Sequence, residues 1–288
     1  MVVYEPKDKQ GFLYIYNNLN KSFIRKIGRK GEAPNEFVRP RFIMNNSTLG
    51  KQNLLIGDIN GLYSLDITSD SAQKKGSTIF PANLETYNYV LHNSLDTLIV
   101  NQTRDHQLTI YNKKEDRISF KDYYDKELLD RTVSEFANVN IVFDAYYTSN
   151  NNLIMIAYKN FKIIDLISKK TLELVKRIYF PGYDYNQYCF SKEGNQPKLS
   201  KNSKLFFTYA YPSKNGFYVL SLESERSSIE NGIAKPIIYE ILNDGTINNI
   251  YKLDQTISSF CVDKDSIYGI GLSDLDEELC IFKGNIKL

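Results

Sequence analysis

Tyrosines crowd into two short segments of this sequence and supply its best candidates for ligand binding. Tyrosine offers a broad amphipathic contact surface at little cost in conformational entropy, which is why recognition surfaces are rich in it. Because the chain has 22 tyrosines, local crowding can also simply cover a hydrophobic rim, and both interpretations stay open. The candidates are Tyr183, Tyr185 and Tyr188 in one loop, and Asp144, Tyr146 and Tyr147 at the start of a strand group.

A second candidate surface is basic and surrounds the turn at residues 28–37. A phosphate-binding loop would have to open a helix, with Lys and Ser/Thr at its N-terminus. Here a proline and a strand follow, which favours a crossover between sheets in which Phe37 fills apolar space and Pro40 opens the next strand. The basic candidates, expected near one end of a central channel, are Arg29, Lys30, Arg39 and Arg41.

Catalytic and metal-binding patterns do not stand out. His92 and His106 each flank a predicted strand and belong to no cluster with metal-ligand spacing. The acidic run at 274–278 lacks the glycine and the terminal glutamate of an EF-hand and is typical of a solvated hairpin loop. We therefore expect no cofactor and no metal. The catalytic alternative is an acid and base pair of carboxylates, such as Asp144 and Asp184.

Short apolar and aromatic runs alternate with polar residues along the whole chain, separated by Asn, Asp, Gly and Ser. This pattern predicts strands in groups of four, the organisation of a β-propeller. The groups recur at intervals of about 45–63 residues, close to the roughly 40–50 of known propeller repeats once loop insertions are allowed. The predicted strands are 42–44, 53–59, 61–67, 77–80; 87–91, 97–102, 107–112, 117–121; 141–147, 152–158, 161–167, 172–180; 204–211, 216–222, 236–242, 247–253; and 257–262, 266–272, 278–283.

An N-terminal partial group at 2–4, 11–17 and 22–27 sets the blade count. We predict an all-β single domain over residues 1–288, a six-bladed β-propeller of four-stranded antiparallel blades. Pairing of the N- and C-terminal strands is expected to close the ring, which removes two exposed edges. Five blades is the alternative, if the N-terminal hairpin completes the final group. One helix is predicted over 125–137, with Asp125 as its N-cap.

The segment from Ile27 to Pro40 resembles a signature of bacterial six-bladed propellers grouped as TolB-like or NHL-like. The resemblance rests on a strand ending in Ile-Gly, a Gly-Glu-x-Pro-x-Glu-Phe turn and a following proline, with Ala33 and Asn35 where the family usually has glycine. It implies the propeller fold and a location in the periplasm or at the outer membrane, because many such proteins are lipid-anchored or exported. It implies no catalytic residues.

Composition excludes several classes of partner. Lys and Arg number 36 against 34 Asp and Glu, with no long basic run, so we expect no nucleic-acid partner. No stretch approaches the roughly 20 apolar residues of a membrane span. The N-terminus lacks the pattern of a signal peptide, so the chain is either cytoplasmic or preceded by a segment carrying a signal or lipid anchor. The absence of tryptophan removes Trp-Asp repeats and sialidase-type propellers.

Two functional hypotheses follow. The first is a non-enzymatic recognition or scaffolding module that binds a protein, a peptide or a glycan in the cell envelope. The second is a hydrolase or lyase with a carboxylate site in the central channel. A channel lined by tyrosine and aliphatic residues would favour the first, and converging carboxylates with separated pKa values would favour the second.

Overall fold

Antiparallel strands dominate the computed structural model of the chain, as the alternating pattern predicts. The structure describes residues 2–5, 7–17, 19–20, 22–43, 53–59, 61–68, 74–79, 87–102, 106–133, 142–181, 190–193, 196–199, 204–225, 234, 236–263, 266–272 and 279–285. Within them, every sheet is built from strands that follow one another in sequence and pair in antiparallel register.

Six of these sheets have three or four strands, and we number them as blades 1 to 6. Blade 1 contains β1 (Val2–Tyr4), β2 (Leu13–Tyr16) and β3 (Phe23–Ile27), and blade 2 contains β4 (Arg41–Ile43), β5 (Asn53–Asp58), β6 (Gly61–Asp66) and β7 (Lys74–Ile79). Blade 3 contains β8 (Tyr87–Asn93), β9 (Thr97–Gln102), β10 (Leu108–Asn112) and β11 (Arg117–Lys121), and blade 4 contains β12 (Ala145–Ser149), β13 (Leu153–Tyr158), β14 (Ile163–Ser168) and β15 (Leu174–Tyr179). A two-stranded hairpin of β16 (Phe190–Glu193) and β17 (Gln196–Leu199) precedes blade 5, which contains β18 (Lys204–Pro212), β19 (Gly216–Glu225), β20 (Ile237–Leu242) and β21 (Ile247–Lys252). Blade 6 contains β22 (Ile257–Asp263), β23 (Ser266–Leu272) and β24 (Leu279–Asn285).

The first strand of each blade lies at one edge of its sheet, and these edge strands meet. Strand β12 contacts both β8 and β18, β18 also contacts β22, and β4 contacts β8. Innermost strands facing a common centre are the arrangement of a β-propeller, and six blades fit. The five-blade alternative is wrong, because β1, β2 and β3 form a sheet of their own.

The expected closure of the ring by strand pairing is also wrong for the described residues. Strand β1 pairs with β2 and strand β24 pairs with β23, but no described strand joins blade 1 to blade 6. Each terminal strand thus uses its backbone groups within its own hairpin, which costs less loop-closure entropy than pairing across the whole chain.

Apolar clusters fill the seams between successive blades. Five such clusters lie at the seams from blades 1 and 2 through blades 5 and 6, and none of them joins blade 6 to blade 1 within the described residues. All six residues of β13 are buried, which confirms that its two faces are sandwiched between neighbouring blades.

The turn between blades 1 and 2 is a crossover, as predicted. Phe37 is fully buried, and its ring lies 5.4 Å from Phe12 and 6.0 Å from Tyr63 in edge-to-face contact. Gly28 has φ 79°, and a Cβ there would collide with the Phe12 ring, so glycine is required on both counts. The crossover therefore locks the first two blades together.

Helix α1 (Lys126–Val133) lies within the predicted helix at 125–137, and the predicted residues after 133 lie outside the described part. Asp125 is its N-cap, since the Leu128 N–H donates to the Asp125 carboxylate at 3.1 Å. Asp125 also accepts a hydrogen bond from Arg177 at 3.1 Å. Arg177 additionally donates to both oxygens of the fully buried Asp165 at 2.7 Å. This ion cluster ties the helix to blade 4.

Candidate functional site

A cavity of about 460 Å³ lies where the six innermost strands meet, within the roughly 300–1,000 Å³ range of small-molecule pockets. Every blade contributes to its wall from its first strand. The described lining residues are Val2, Val3, Tyr4, Arg41, Tyr89, Val90, Leu91, Tyr146, Tyr147, Thr148, Tyr209, Ala210, Ser259, Phe260, Cys261, Tyr268, Ile270 and Ile281.

Four aromatic rings on blades 3 to 6 form a continuous arc along this wall. The Tyr89 and Tyr146 ring centroids are 5.1 Å apart, and those of Tyr146 and Tyr209 are 5.2 Å apart. The Phe260 ring follows at 5.4 Å from Tyr209. Each ring occupies the innermost strand of its blade, so the arc crosses three seams between blades. Such pairs stabilise the packing beyond simple burial of their area.

Strand geometry explains why neighbouring tyrosines take different positions. Tyr146 and Tyr147 are adjacent on β12, and side chains alternate between the two faces of a strand. Tyr146 packs against the cluster between blades 4 and 5, whereas Tyr147 belongs to the cluster between blades 3 and 4. Both still reach the cavity wall.

Burial keeps the hydroxyl groups of the arc protonated. It raises the pKa of Tyr89, Tyr146 and Tyr209 well above the ordinary value for tyrosine, with nearby acidic and phenolic groups adding to the shift. Tyr89 and Tyr146 are also hydrogen-bonded to each other. At neutral pH these side chains are therefore neutral aromatic groups that can donate a hydrogen bond.

The wall contributed by blades 1 and 2 differs from this arc because it carries a cation. Arg41 lines the cavity from β4, next to Val2, Val3 and Tyr4 of β1. The Tyr4 hydroxyl donates to the carbonyl of Pro40. Burial raises the pKa of Tyr4, and the positive charge of Arg41 opposes that shift. The cavity thus has an arc of aromatic rings on blades 3 to 6 and a guanidinium group on the side of blades 1 and 2.

Blade 6 contributes to the cavity with more than its innermost strand. Tyr268 and Ile270 of β23 and Ile281 of β24 also line the wall. In blades 1 to 5 the described lining residues all belong to the first strand. The cavity therefore continues along the face of blade 6, on the side where no described strand joins blade 6 to blade 1.

The structure brings together only some of the residues predicted from the sequence. Tyr146, Tyr147 and Arg41 line the cavity. Asp144 does not, because its carboxylate is about half exposed and forms an ion pair with Lys159 at 2.9 Å. Of the other predicted residues, Arg29 and Arg39 are exposed and Lys30 is half-buried away from the described cavity wall, and Tyr183, Tyr185, Tyr188 and Asp184 lie outside the described residues.

Sequence reasoning missed most of the aromatic wall. Tyr4, Tyr89, Tyr209, Phe260 and Tyr268 were not singled out, although all five line the cavity. The available signal was positional rather than compositional: an aromatic residue recurs within the first strand of successive blades. Local crowding of tyrosines does not detect such a pattern, because its members are separated by a whole blade.

The central cavity has polar groups in its described wall: the hydroxyls of Tyr, Ser and Thr side chains, the Cys261 thiol and the Arg41 guanidinium. Its described lining contains no Asp, Glu or His. The described residues also hold no group of three or more His, Cys, Asp or Glu side chains suited to a metal ion.

Comparisons with known proteins identify no family for this chain. No family model matches the sequence, and no curated protein matches it. Among solved structures, the extracellular domain of BT4673 from B. thetaiotaomicron, described as a hybrid two-component system, is similar with a TM-score of 0.47 and 12% identity. The match covers 100% of this chain and 34% of that one, so this chain spans about a third of that domain.

Two further structures match over nearly their whole length. The β-propeller domain of Cps50 (Swd1) from Myceliophteria thermophila has a TM-score of 0.43 at 10% identity, covering 99% of this chain and 96% of that chain. A protein of unknown function from Bacteroides caccae has a TM-score of 0.43 at 10% identity, covering 90% and 97%. These values carry no information about a ligand or an activity of this chain. No helix among the described residues is long and apolar enough to cross a membrane.

Proposed function

We propose that this chain is a non-enzymatic recognition module of the cell envelope, whose central cavity holds an apolar or aromatic part of a peptide or protein partner. The observation that carries the proposal is the cavity wall: an arc of four aromatic rings faces a wall containing Arg41, with no carboxylate among the described lining residues. Aromatic anchors in desolvated pockets dominate the energetics of recognition surfaces.

A peptide fits this wall better than a glycan or a cation does. Sugar hydroxyls need several precisely placed hydrogen-bonding groups, and the described lining offers hydroxyl groups and one guanidinium but no side-chain amide or carboxylate. Aromatic cages do bind quaternary ammonium groups, but this wall also carries the Arg41 guanidinium, which a cage for a cation does not need. An apolar side chain close to a carboxylate, as at the C-terminus of a peptide, satisfies both walls.

The envelope location is supported by the resemblance of the Ile27 to Pro40 segment to exported and lipid-anchored propellers. The same resemblance implies no catalytic residue. The hydrolase or lyase alternative has no specific support, because Asp144 lies outside the described cavity wall and pairs with Lys159.

The test is a binding screen with peptides that end in Phe, Leu or Ala, each as free acid and as amide, measured by calorimetry on the full chain. We expect the Phe acid to bind best, and Tyr146→Ala and Tyr209→Ala to weaken it at least tenfold. Phe23→Ala is the matched control, because this aromatic residue is exposed on β3, outside the cavity. Mass spectrometry of the recovered peptide checks that it is intact.

Two results would contradict the proposal. Cleavage of the peptide by the parent protein would indicate an enzyme. Equal binding by the parent and both cavity variants, with all three folded by circular dichroism, would place recognition elsewhere on the molecule.

A further inference from the structure

A second cavity, separate from the central one, lies between hairpins of blades 3 and 4 and is basic. Its volume is about 440 Å³. Blade 3 contributes residues from β8 to β11 and from the turn between β10 and β11, and blade 4 contributes the turn between β14 and β15. The described lining residues are His92, Thr97, Ile99, Ile110, Asn112, Glu115, Arg117, Ser119, Lys169, Lys170 and Leu172.

The charges of this basic cleft are not balanced. Lys169, Lys170 and Arg117 are cations at neutral pH, and Glu115 is the one carboxylate among the described lining residues. His92 adds a titratable imidazole. A cleft that gathers several cations around one anion holds excess positive charge, which attracts an anionic ligand.

Lys169 is the cation whose surroundings are least favourable. Its ammonium group is half-buried, and burial alone lowers its pKa to about 8. It forms no ion pair with a described carboxylate, in contrast to Lys159 and Lys162 of the same blade. Burying a charge without a partner costs free energy, and an anion bound beside Lys169 removes that cost.

The basic groups near Lys169 repel its ammonium charge and do not neutralise it. Burial lowers the pKa of His92, and the charges of Lys169 and Lys113 lower it further. Lys113 itself donates to the Asn93 side chain and to the carbonyl of Ser94, which are neutral groups. The charges of Lys113 and Lys169 therefore both act on His92, and Asp96 is the acidic group that acts on Lys113.

Hydrogen bonds hold the backbone of the turn that carries Lys169. The Lys169 N–H donates to the carbonyl of Asn152 at 2.9 Å. The Ser168 hydroxyl accepts from the N–H groups of Lys170 and Thr171. The Tyr123 hydroxyl donates to the carbonyl of Leu172 at 2.8 Å. A site that is ordered before binding loses less entropy on binding.

We propose that this basic cleft binds a small molecule through a doubly charged phosphate group. Arg117 can hold two phosphate oxygens with its planar guanidinium, and lysines bind phosphate as point charges. Ser119, Thr97 and Asn112 line the same cleft and offer polar groups for the remaining oxygens or for the body of the ligand. A doubly charged group matches the excess of cations better than a carboxylate does.

The experiment titrates the full chain with inorganic phosphate at constant ionic strength, set with chloride, and follows the ¹³Cε and ¹⁵Nζ NMR signals of the lysines at pH 7.5. We expect saturable binding that shifts the Lys169 signals and raises the pKa of Lys169. Lys169→Met and Arg117→Gln should each weaken phosphate binding at least tenfold. Lys252→Met is the matched control, because Lys252 is exposed on β21 of blade 5, and it should bind within twofold of the parent.

The dependence on pH and on the anion provides the second readout. Binding should fall between pH 7 and 9 as Lys169 loses its proton, a range in which an ordinary exposed lysine stays charged. Sulfate at the same concentration, which is also doubly charged and tetrahedral, should bind too, and acetate should not. Phosphate binding that is unsaturable, equal in Lys169→Met, or matched by acetate would overturn the proposal. These results are independent of whether peptides enter the central cavity.

Discussion

At one end of the β14–β15 hairpin a buried cation has carboxylate partners, and at the other end a half-buried cation has none among the described residues. On β15, Arg177 donates to both oxygens of Asp165 and to Asp125, so two carboxylates neutralise it inside the fold. In the turn at the other end, Lys169 is half-buried without a described carboxylate partner. The comparison distinguishes a cation that stabilises the fold through ion pairs from a cation whose charge an anionic ligand can neutralise.

The largest loss of stability is expected when Arg177, the cation with carboxylate partners, is replaced. Arg177→Met leaves the carboxylate of Asp165 buried without its partner, which should lower the free energy of unfolding by about 3–5 kcal/mol. Burial already raises the pKa of Asp165 against the pull of Arg177, so the variant should take up a proton there. Urea denaturation measures the change.

The double variant Asp165→Asn with Arg177→Met is the control for this prediction. Removing both charges should restore part of the lost stability, because no buried charge is then left unpaired. If the double variant loses as much stability as the two single variants together, or more, Asp165 and Arg177 are not favourably coupled and the prediction is wrong.

A gain in stability is expected when Lys169, in the turn at the other end of the hairpin, is replaced. Lys169→Met removes a desolvated ammonium group that has no described partner, and its alkyl stem is replaced by one of similar size. The free energy of unfolding at pH 7 should rise by about 1–2 kcal/mol. The gain is no larger because water still reaches part of the side chain and screens its charge. A loss of stability in urea denaturation would show that Lys169 has a stabilising partner, which would remove the contrast with Arg177.

The pH dependence of stability sharpens the same contrast. The pKa of Lys169 is about 8 in the folded chain and 10.5 in the ordinary state, so the unfolded chain binds more protons between these values and stability should rise with pH. Lys113 acts in the same direction. Above pH 10 the trend should reverse, because Tyr89 and Tyr146 keep raised pKa values in the folded chain. Melting temperatures from pH 7.5 to 11 should therefore pass through a maximum, and the rise should shrink in Lys169→Met.

The smallest effect is expected where an ion pair is mostly solvated. Asp144→Asn breaks the ion pair with Lys159. The Asp144 side chain is 51% exposed and the Lys159 side chain is 30% exposed, so water already screens the pair. The free energy of unfolding should change by about 1 kcal/mol or less. The same calorimetric assay should show unchanged peptide binding, and a tenfold loss would restore Asp144 as a site residue.

Periodicity and turn chemistry predicted most of the fold. The strands of blades 2 to 6 appear close to their predicted bounds, because hairpin partners are neighbours in sequence and alternation specifies which face is buried. The buried role of Phe37 and the N-cap role of Asp125 were also predictable, since each depends on a few adjacent residues. The β16–β17 hairpin was missed.

The sequence by itself determined the class of fold, the blade pattern and the absence of a prominent catalytic motif. Only the tertiary structure decided that Tyr89, Tyr146, Tyr209 and Phe260 form one arc, that Asp144 pairs with Lys159 instead of lining the cavity, and that β1 pairs within its own blade. The physical reason is distance along the chain. Pairing within a hairpin follows from adjacent residues, whereas a cavity wall joins side chains whose proximity depends on how whole blades pack around a common centre.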